Sequence, residues 1–370
     1  MNERQSKNSS EPRLGQTILS DIRRGDFRST VRRDYKELKE FFLDERRRDQ
    51  LKSMGWFKRW FFMTIWLLKS LFLKLTPARR ILFLVSTILL FNYANTSHND
   101  VNVTVNGNAL IGYLLLLFIL MLELKDKLLA HDELEEGRSV QVALTPERQP
   151  EVAGWDIWLF TRAANEVGGD LVDYLKISEN KIGLALGDVA GKGLKAALLM
   201  AKLQSTLRAL ISDIDSLSEL GSKINKIFHR DSLPNLFASL VYLNVVPNSG
   251  KLEVLNAGHM PPLILRKGSL SEMPRGCPAL GLMEKAEFKC QDAELNEGDV
   301  LIVYSDGVTE ARDEFGDFFG EKRLKNILPR LGDLSATRIG ENILDYVHNF
   351  VGEARYYDDL SLIIMKKTGK

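Results

Sequence analysis

The sequence predicts an α+β fold, and three observations carry that reading. Apolar runs rich in β-formers, "KIGLALGDV" (181–189) and "DVLIVYSDGV" (299–308), stop at turn residues, as buried strands do. "FASLVYLNVVPNSGKLEVLNAGHMPPLILR" (237–266) alternates strand and turn three times, with Asn-Ser-Gly after its first strand, which favours an antiparallel meander. Helical patterns come in groups between sets of strands, which separates α+β from a doubly wound parallel sheet.

The N-terminal third has a different texture. Residues 1–54 are polar, include "DERRRDQLK", and read as a helical or disordered cytoplasmic tail. They hold no apolar h-region of the kind a secretory signal has. Residues 55–80 open with "GWFKRWFFMTIWLLKSLFLKL", whose Trp, Phe and Leu are mixed with Lys58, Arg59, Lys69 and Lys74. That mixture suits an amphipathic helix lying at a membrane interface, and a span there would bury Lys69 at a cost of a few kcal/mol.

Within residues 81–124 lie two apolar runs, "ILFLVSTILLFNYA" and "ALIGYLLLLFILMLEL". Each is shorter than the usual span of about 20 residues. Arg79 and Arg80 precede the first, Lys125 and Lys127 follow the second, and the connection between them has no Lys or Arg. The pattern predicts a two-span transmembrane hairpin with both ends cytoplasmic. A pair of buried core helices is the alternative. Residues 125–151 begin as a charged helix, meet Gly137, Pro146 and Pro150, and read as a linker with a regulatory helix. Inner-membrane localisation, contact with lipid and a cytoplasmic catalytic domain are the expectations.

From 152 to 370 the chain reads as one globular domain. "GLKAALLMAKLQSTLRALISDI" (193–214) is a long helix buried on a broad face, and "SLSELGSKINKIFHR" (216–230) a second. "RLKNILPRL" and "IGENILDYVHNFV" are amphipathic helices, and "DDLSLIIMKK" (358–367) is a closing strand.

Charge excludes one class of partner. Through Arg80 there are 20 Lys+Arg against 10 Asp+Glu, leaving 30 against 39 in the remainder. The acidic remainder is no reader of a phosphate backbone, so nucleic acid is not expected, while the basic start favours an anionic lipid surface. Cys277 and Cys290 are too far apart to form a CxxC zinc or redox motif.

The chemistry lies in the carboxylates. Asp188 follows "IGLALG", Asp306 follows "LIVYS", Asp358 and Asp359 precede "LSLII", and Asp170 and Asp173 sit in "EVGGDLVDY". One Asp-Gly at a strand end is usually a turn. Several in one domain, without a Lys or Arg at hand, suggest oxygen ligands for hard cations such as Mg²⁺ or Mn²⁺.

In order and approximate spacing, "EVGGDLVDY", "GDVAGKGLKAALLMA", "LNAGHMPP", "GCPALGL", "EGDVLIVYSDGVTEARDEFGDFFG" and "YYDDLSLIIM" resemble the SpoIIE/RsbU-like branch of the PPM metal-dependent serine/threonine phosphatases. The resemblance covers roughly residues 140 to 370. It implies a sandwich of two antiparallel sheets flanked by helices, with two Mn²⁺ or Mg²⁺ ions at one end. It implies that Asp188 bridges both ions, that the Val189 carbonyl binds one, that Asp306 and Asp358 are the remaining ligands, and that Asp170 holds bound water or binds directly. Lys192, His259 and Asp359 are candidates for substrate contact or support. For Lys192 a solvated side chain is the alternative, and for His259 a structural turn.

Two departures stand out: Ala190 where relatives often have Ser, and Met260 where they often have Asn. No general acid is assigned. The implied function is hydrolysis of phosphoserine or phosphothreonine on a protein, by analogy a STAS-type anti-sigma-factor antagonist in bacterial partner switching. A binding or scaffold protein with the same fold is the alternative. Oligomeric state, a homodimer included, is left open.

Overall fold

Strand periodicity sorts the apolar residues of the C-terminal region into separate layers. In the computed structural model, which describes residues 50–51, 54–91, 107–146, 149–231 and 236–369, ten strands form two five-stranded antiparallel sheets. One has the order β1–β10–β9–β6–β7, built from β1 (Trp155–Arg162), β6 (Leu263–Arg266), β7 (Ser269–Glu272), β9 (Val300–Tyr304) and β10 (Leu360–Lys367). The other has the order β2–β3–β4–β5–β8, from β2 (Leu171–Ser178), β3 (Lys181–Val189), β4 (Ala238–Val245), β5 (Lys251–Ala257) and β8 (Cys290–Glu294).

Alternate residues of each central strand point to opposite faces. Leu184 and Leu186 of β3 meet Ile363 and Met365 of β10 in the layer between the sheets. Leu362 and Ile364 instead join Ile339, Ile343 and Val347 of a helix covering the first sheet. Ala185, Leu240 and Tyr242 pack on Leu203, Leu207 and Phe228 of helices covering the second. Both faces of both sheets are thus covered, and an unbroken apolar run reads as a strand for that reason.

Two errors of the sequence reading concern this domain. The third strand of the expected meander, β6, does not pair with β5. It crosses to the other sheet and pairs with β7 and β9. The short strands β7 and β8 carried too little apolar patterning to be read.

The chain divides into two compact units, residues 1–127 and 128–370. In the first, α1 (Trp56–Lys74) ends before Pro77, which opens α2 (Pro77–Phe91). Pro suits that first helical position because the N–H it lacks has no partner there. Gly112 of α3 (Gly107–Leu144) lets that helix lie directly on Ser86 of α2, and Arg79 binds Glu123 and Asp126 at 2.6 Å each.

Here the expected transmembrane hairpin is corrected. Among the described residues no helix is long and apolar enough to cross a membrane. The apolar part of α3 stops at Glu123, Lys125 and Asp126. The expected boundary at 124 is also absent, because α3 runs unbroken through Gly137 to Leu144. Almost all of the 1–54 tail, and most of the connection between the apolar runs, lie outside the described residues.

Candidate active site

Three strand ends meet at one end of the sandwich. Asp188 is the penultimate residue of β3, opposite Ser239 of β4. Asp306 opens the short helix α6 (Asp306–Thr309) directly after β9, while Asp358 and Asp359 lead into β10, the neighbour of β9. Ser305 fastens these last two ends: its N–H donates to the Ser361 carbonyl at 2.9 Å and its hydroxyl to the Asp359 carbonyl at 3.0 Å. Gly307 is required by the same close approach, since a Cβ there would collide with the Asp359 carbonyl oxygen.

Beyond β3 the chain turns through Gly191 (φ 121°) and Gly193 (φ 70°), backbone that a side chain would strain. The turn leads into α4 (Leu194–Leu210), followed by α5 (Leu217–Asp231). Asp188, this turn, the 164–169 loop and residues 357–359 line a shallow cleft. Lys192 crosses it, donating to Asp358 Oδ2 at 2.8 Å and to the Tyr357 carbonyl at 2.7 Å.

The remaining candidates have distinct places. Asp359 does not face the cleft as a free carboxylate. It accepts backbone N–H bonds from Ala164 (2.8 Å), Gly169 (2.6 Å) and Asp170 (3.2 Å), and so shapes the Gly-Gly-Asp loop. Asp170, on that loop, is buried beside Asp188 with its Oδ2 unpartnered, and lines a second cavity of about 250 Å³. A Cβ on Gly169 would meet the Val189 carbonyl at 3.4 Å and Asp188 Oδ1 at 3.8 Å, so that carbonyl does face the carboxylates.

Asp173 is structural: Arg208 holds it through two 2.8 Å hydrogen bonds. The expectation that these carboxylates lack basic partners therefore fails at Asp173 and Asp358.

His259 lies away from the cleft, as a brace between the sheets. Its Nε2 donates to the Tyr304 carbonyl (3.1 Å), which leaves Nδ1 to accept from the Ser239 hydroxyl (2.7 Å). Burial lowers its pKa to about 4, so the ring is neutral. Ser305, Ser239 and Gln141, whose amide grips Gly168 N–H and C=O (3.0 and 2.6 Å), were missed in the sequence, because nothing local marks a distant partner.

Crowded acids shift one another. Burial, then Asp358 and Asp359, raise Asp188 to about 6. Burial, then Asp188 and Asp358, raise Asp306 to about 7. Burial, followed by Asp188 and Asp359, raises Asp170 well above the ordinary carboxylate range. Such a cluster is a site for positive charge.

Its donors are all oxygen, one of them a buried and unpartnered carboxylate oxygen, and that chemistry fits Mn²⁺ or Mg²⁺. Among the described residues, however, no three His, Cys, Asp or Glu side chains are already gathered as the ligands of one ion.

The two covered antiparallel sheets with an acidic end define a PPM-type phosphatase fold. The SiaA-PP2C domain of Pseudomonas aeruginosa has the same fold, with TM-score 0.58 and 18% identity over 65% of this chain and 98% of that one. Residues 178–368 match the Stage II sporulation protein E (SpoIIE) family, and the chain belongs to it. Among curated relatives it is 28% identical to protein IcfG of Synechocystis sp. over 62% of this chain and 41% of that one. It is 26% identical to the phosphoserine phosphatase RsbU of Bacillus subtilis over 64% of this chain and 70% of RsbU.

Proposed function

We propose that the chain is a metal-dependent phosphoserine/phosphothreonine protein phosphatase of bacterial signalling. The observation that carries this reading is the convergence of Asp188, Asp306 and Asp358 from two sheets onto one acidic end, where burial and mutual repulsion raise Asp188 and Asp306. Asp188, Asp306, Asp358 and the Val189 carbonyl would hold two Mn²⁺ or Mg²⁺ ions, with Asp170 behind them. The ions would supply charge neutralisation for the phosphoryl group and make a water more acidic.

The protein's own groups do the rest. The 191–193 turn leaves room for the phosphoryl group, and Lys192 offers it a positive charge. Asp359 fixes the loop that carries Asp170, and His259 holds β4 to the end of β9 so that Asp188 and Asp306 keep their separation.

The substrate is taken to be a seryl-phosphorylated STAS-type antagonist, supported by the relation to RsbU. The protein is taken to lie at the inner face of the membrane, held by α1 rather than by spans. What supports this is the exposure of Trp56 (84%), Phe57, Trp60 and Phe61 beside Lys58 and Arg59. Co-sedimentation with anionic vesicles tests it; no co-sedimentation would refute it, and equal co-sedimentation with neutral and anionic vesicles would refute the electrostatic part.

A scaffold with this fold is the competing reading, favoured by the ungathered carboxylates and Ala190. Mn²⁺-dependent hydrolysis of p-nitrophenyl phosphate by the full chain decides between them. Activity in the wild type and its absence in D188N supports the enzyme, and a wild type without turnover supports the scaffold.

A further inference from the structure

The segment "ARDEFGDFFG" (311–320) has no part in the chemistry above, and it reaches the cleft through Arg312, which lies against the ring of the cleft-lining Tyr357. It forms a small, heavily braced hairpin. Arg312 bridges Phe318, Phe319 N–H donates to the Ala311 carbonyl (2.8 Å), and Asp313 N–H donates to the Asp317 carbonyl (3.1 Å). The Asp313 carboxylate accepts the N–H groups of Phe315 and Asp317 at 2.9 Å each, and Gly316 supplies the positive φ of 90°. Arg323 donates to the Phe318 and Phe319 carbonyls (2.7 and 2.8 Å).

All this fixing serves a tip that packs on nothing: Phe315 is 92% exposed. Single exposed apolar residues are common and need no explanation. This one is different, because hydrogen bonds brace the turn that presents it and Arg312, on the same hairpin, holds two further exposed rings, Phe318 and Tyr357. The Arg312 guanidinium lies 4.5 Å from the Phe318 ring centre and 5.5 Å from that of Tyr357. Tyr357 lines the cleft and its carbonyl accepts from Lys192, so the ring cluster is continuous with the place where a phosphoryl group would enter. Phe315 is three residues from Arg312, within about 10 Å along the chain.

We propose that the 312–318 hairpin is the docking element for the folded protein that carries the phosphoserine, with Phe315 entering an apolar recess next to the modified residue. The proposal rests on the phosphatase reading. A phosphoserine on a folded surface, once in the cleft, brings a contact patch of about 800 Å² with it, and the ring cluster is where that patch falls. Aromatic side chains dominate such contacts, and a tip already held in place loses little freedom on binding. A small phosphoester reaches the cleft without touching the hairpin.

The test compares wild type, F315A and F315L, as full chains with Mn²⁺, on p-nitrophenyl phosphate and on a serine-phosphorylated STAS-domain protein from the same genome. F315A is expected to lose at least tenfold in kcat/KM on the phosphoprotein, mainly through KM, while p-nitrophenyl phosphate turnover stays within twofold and F315L keeps most of the affinity. Unchanged phosphoprotein kinetics, or equal losses on both substrates, overturn the proposal. Wild type that hydrolyses p-nitrophenyl phosphate but not the phosphoprotein overturns the docking role and leaves the phosphatase reading standing. Wild type inactive on both overturns that reading and the docking with it.

Discussion

Asp306 shows what the site costs at the scale of one residue. Its pKa is raised to about 7, first by burial and then by Asp188 and Asp358, whereas in the unfolded chain it is near 4. The folded protein therefore binds this proton more tightly than the unfolded one, and stability falls as pH rises from about 4 through 7. In chelator, D306N should stabilise the protein at pH 8 by about 1–2 kcal/mol, after allowance for solvent screening, and flatten its melting temperature between pH 5 and 8. A pH slope equal to that of the wild type would show that Asp306 is not under this repulsion.

His259 has the opposite sign. Its pKa is lowered to about 4, so its contribution is present above about 6.5 and is lost as pH falls towards 4. Removing one of its two bonds with S239A should cost about 1 kcal/mol in urea unfolding at pH 7.5. No change would mean that the hydroxyl does not hold the ring.

At the scale of elements, Gly307 decides whether the two acidic strand ends can meet. G307A must push the 306–309 helix off the Asp359 backbone, and Mn²⁺ affinity measured calorimetrically should fall at least tenfold. An affinity within twofold of wild type would refute this. Gln141 is the second such point, since its amide ties the end of α3 to the loop that carries Asp170. Q141A should speed hydrogen exchange at 166–170, and unchanged protection there would show that the loop is held by Asp359 alone.

Much of this level was legible in the sequence. β3, β9 and β10 announce themselves because both of their faces are buried, and Asp188, Asp306 and Asp358 stand where those runs stop. What could not be read was the path of β6 into the other sheet, which depends on pairing between distant segments. The same holds for Asp359, whose three partners lie nearly 200 residues away in the chain.

On the scale of the whole molecule, the two units differ in what the sequence disclosed. The C-terminal unit has motifs with one consistent spatial reading, whereas apolarity in the N-terminal unit suits a bilayer and a helix pair alike. Among the described residues no helix is long and apolar enough to span, and the apolar part of α3 gives way to Glu123, Lys125 and Asp126. The proposed activity requires metal capture by carboxylates that two sheets bring together.

Isothermal titration of Mn²⁺ into the full chain at pH 7.5 tests that most directly. Saturable uptake of two ions, abolished in D188N, is the predicted result. An isotherm without uptake, or one that D188N leaves unaltered, would contradict it.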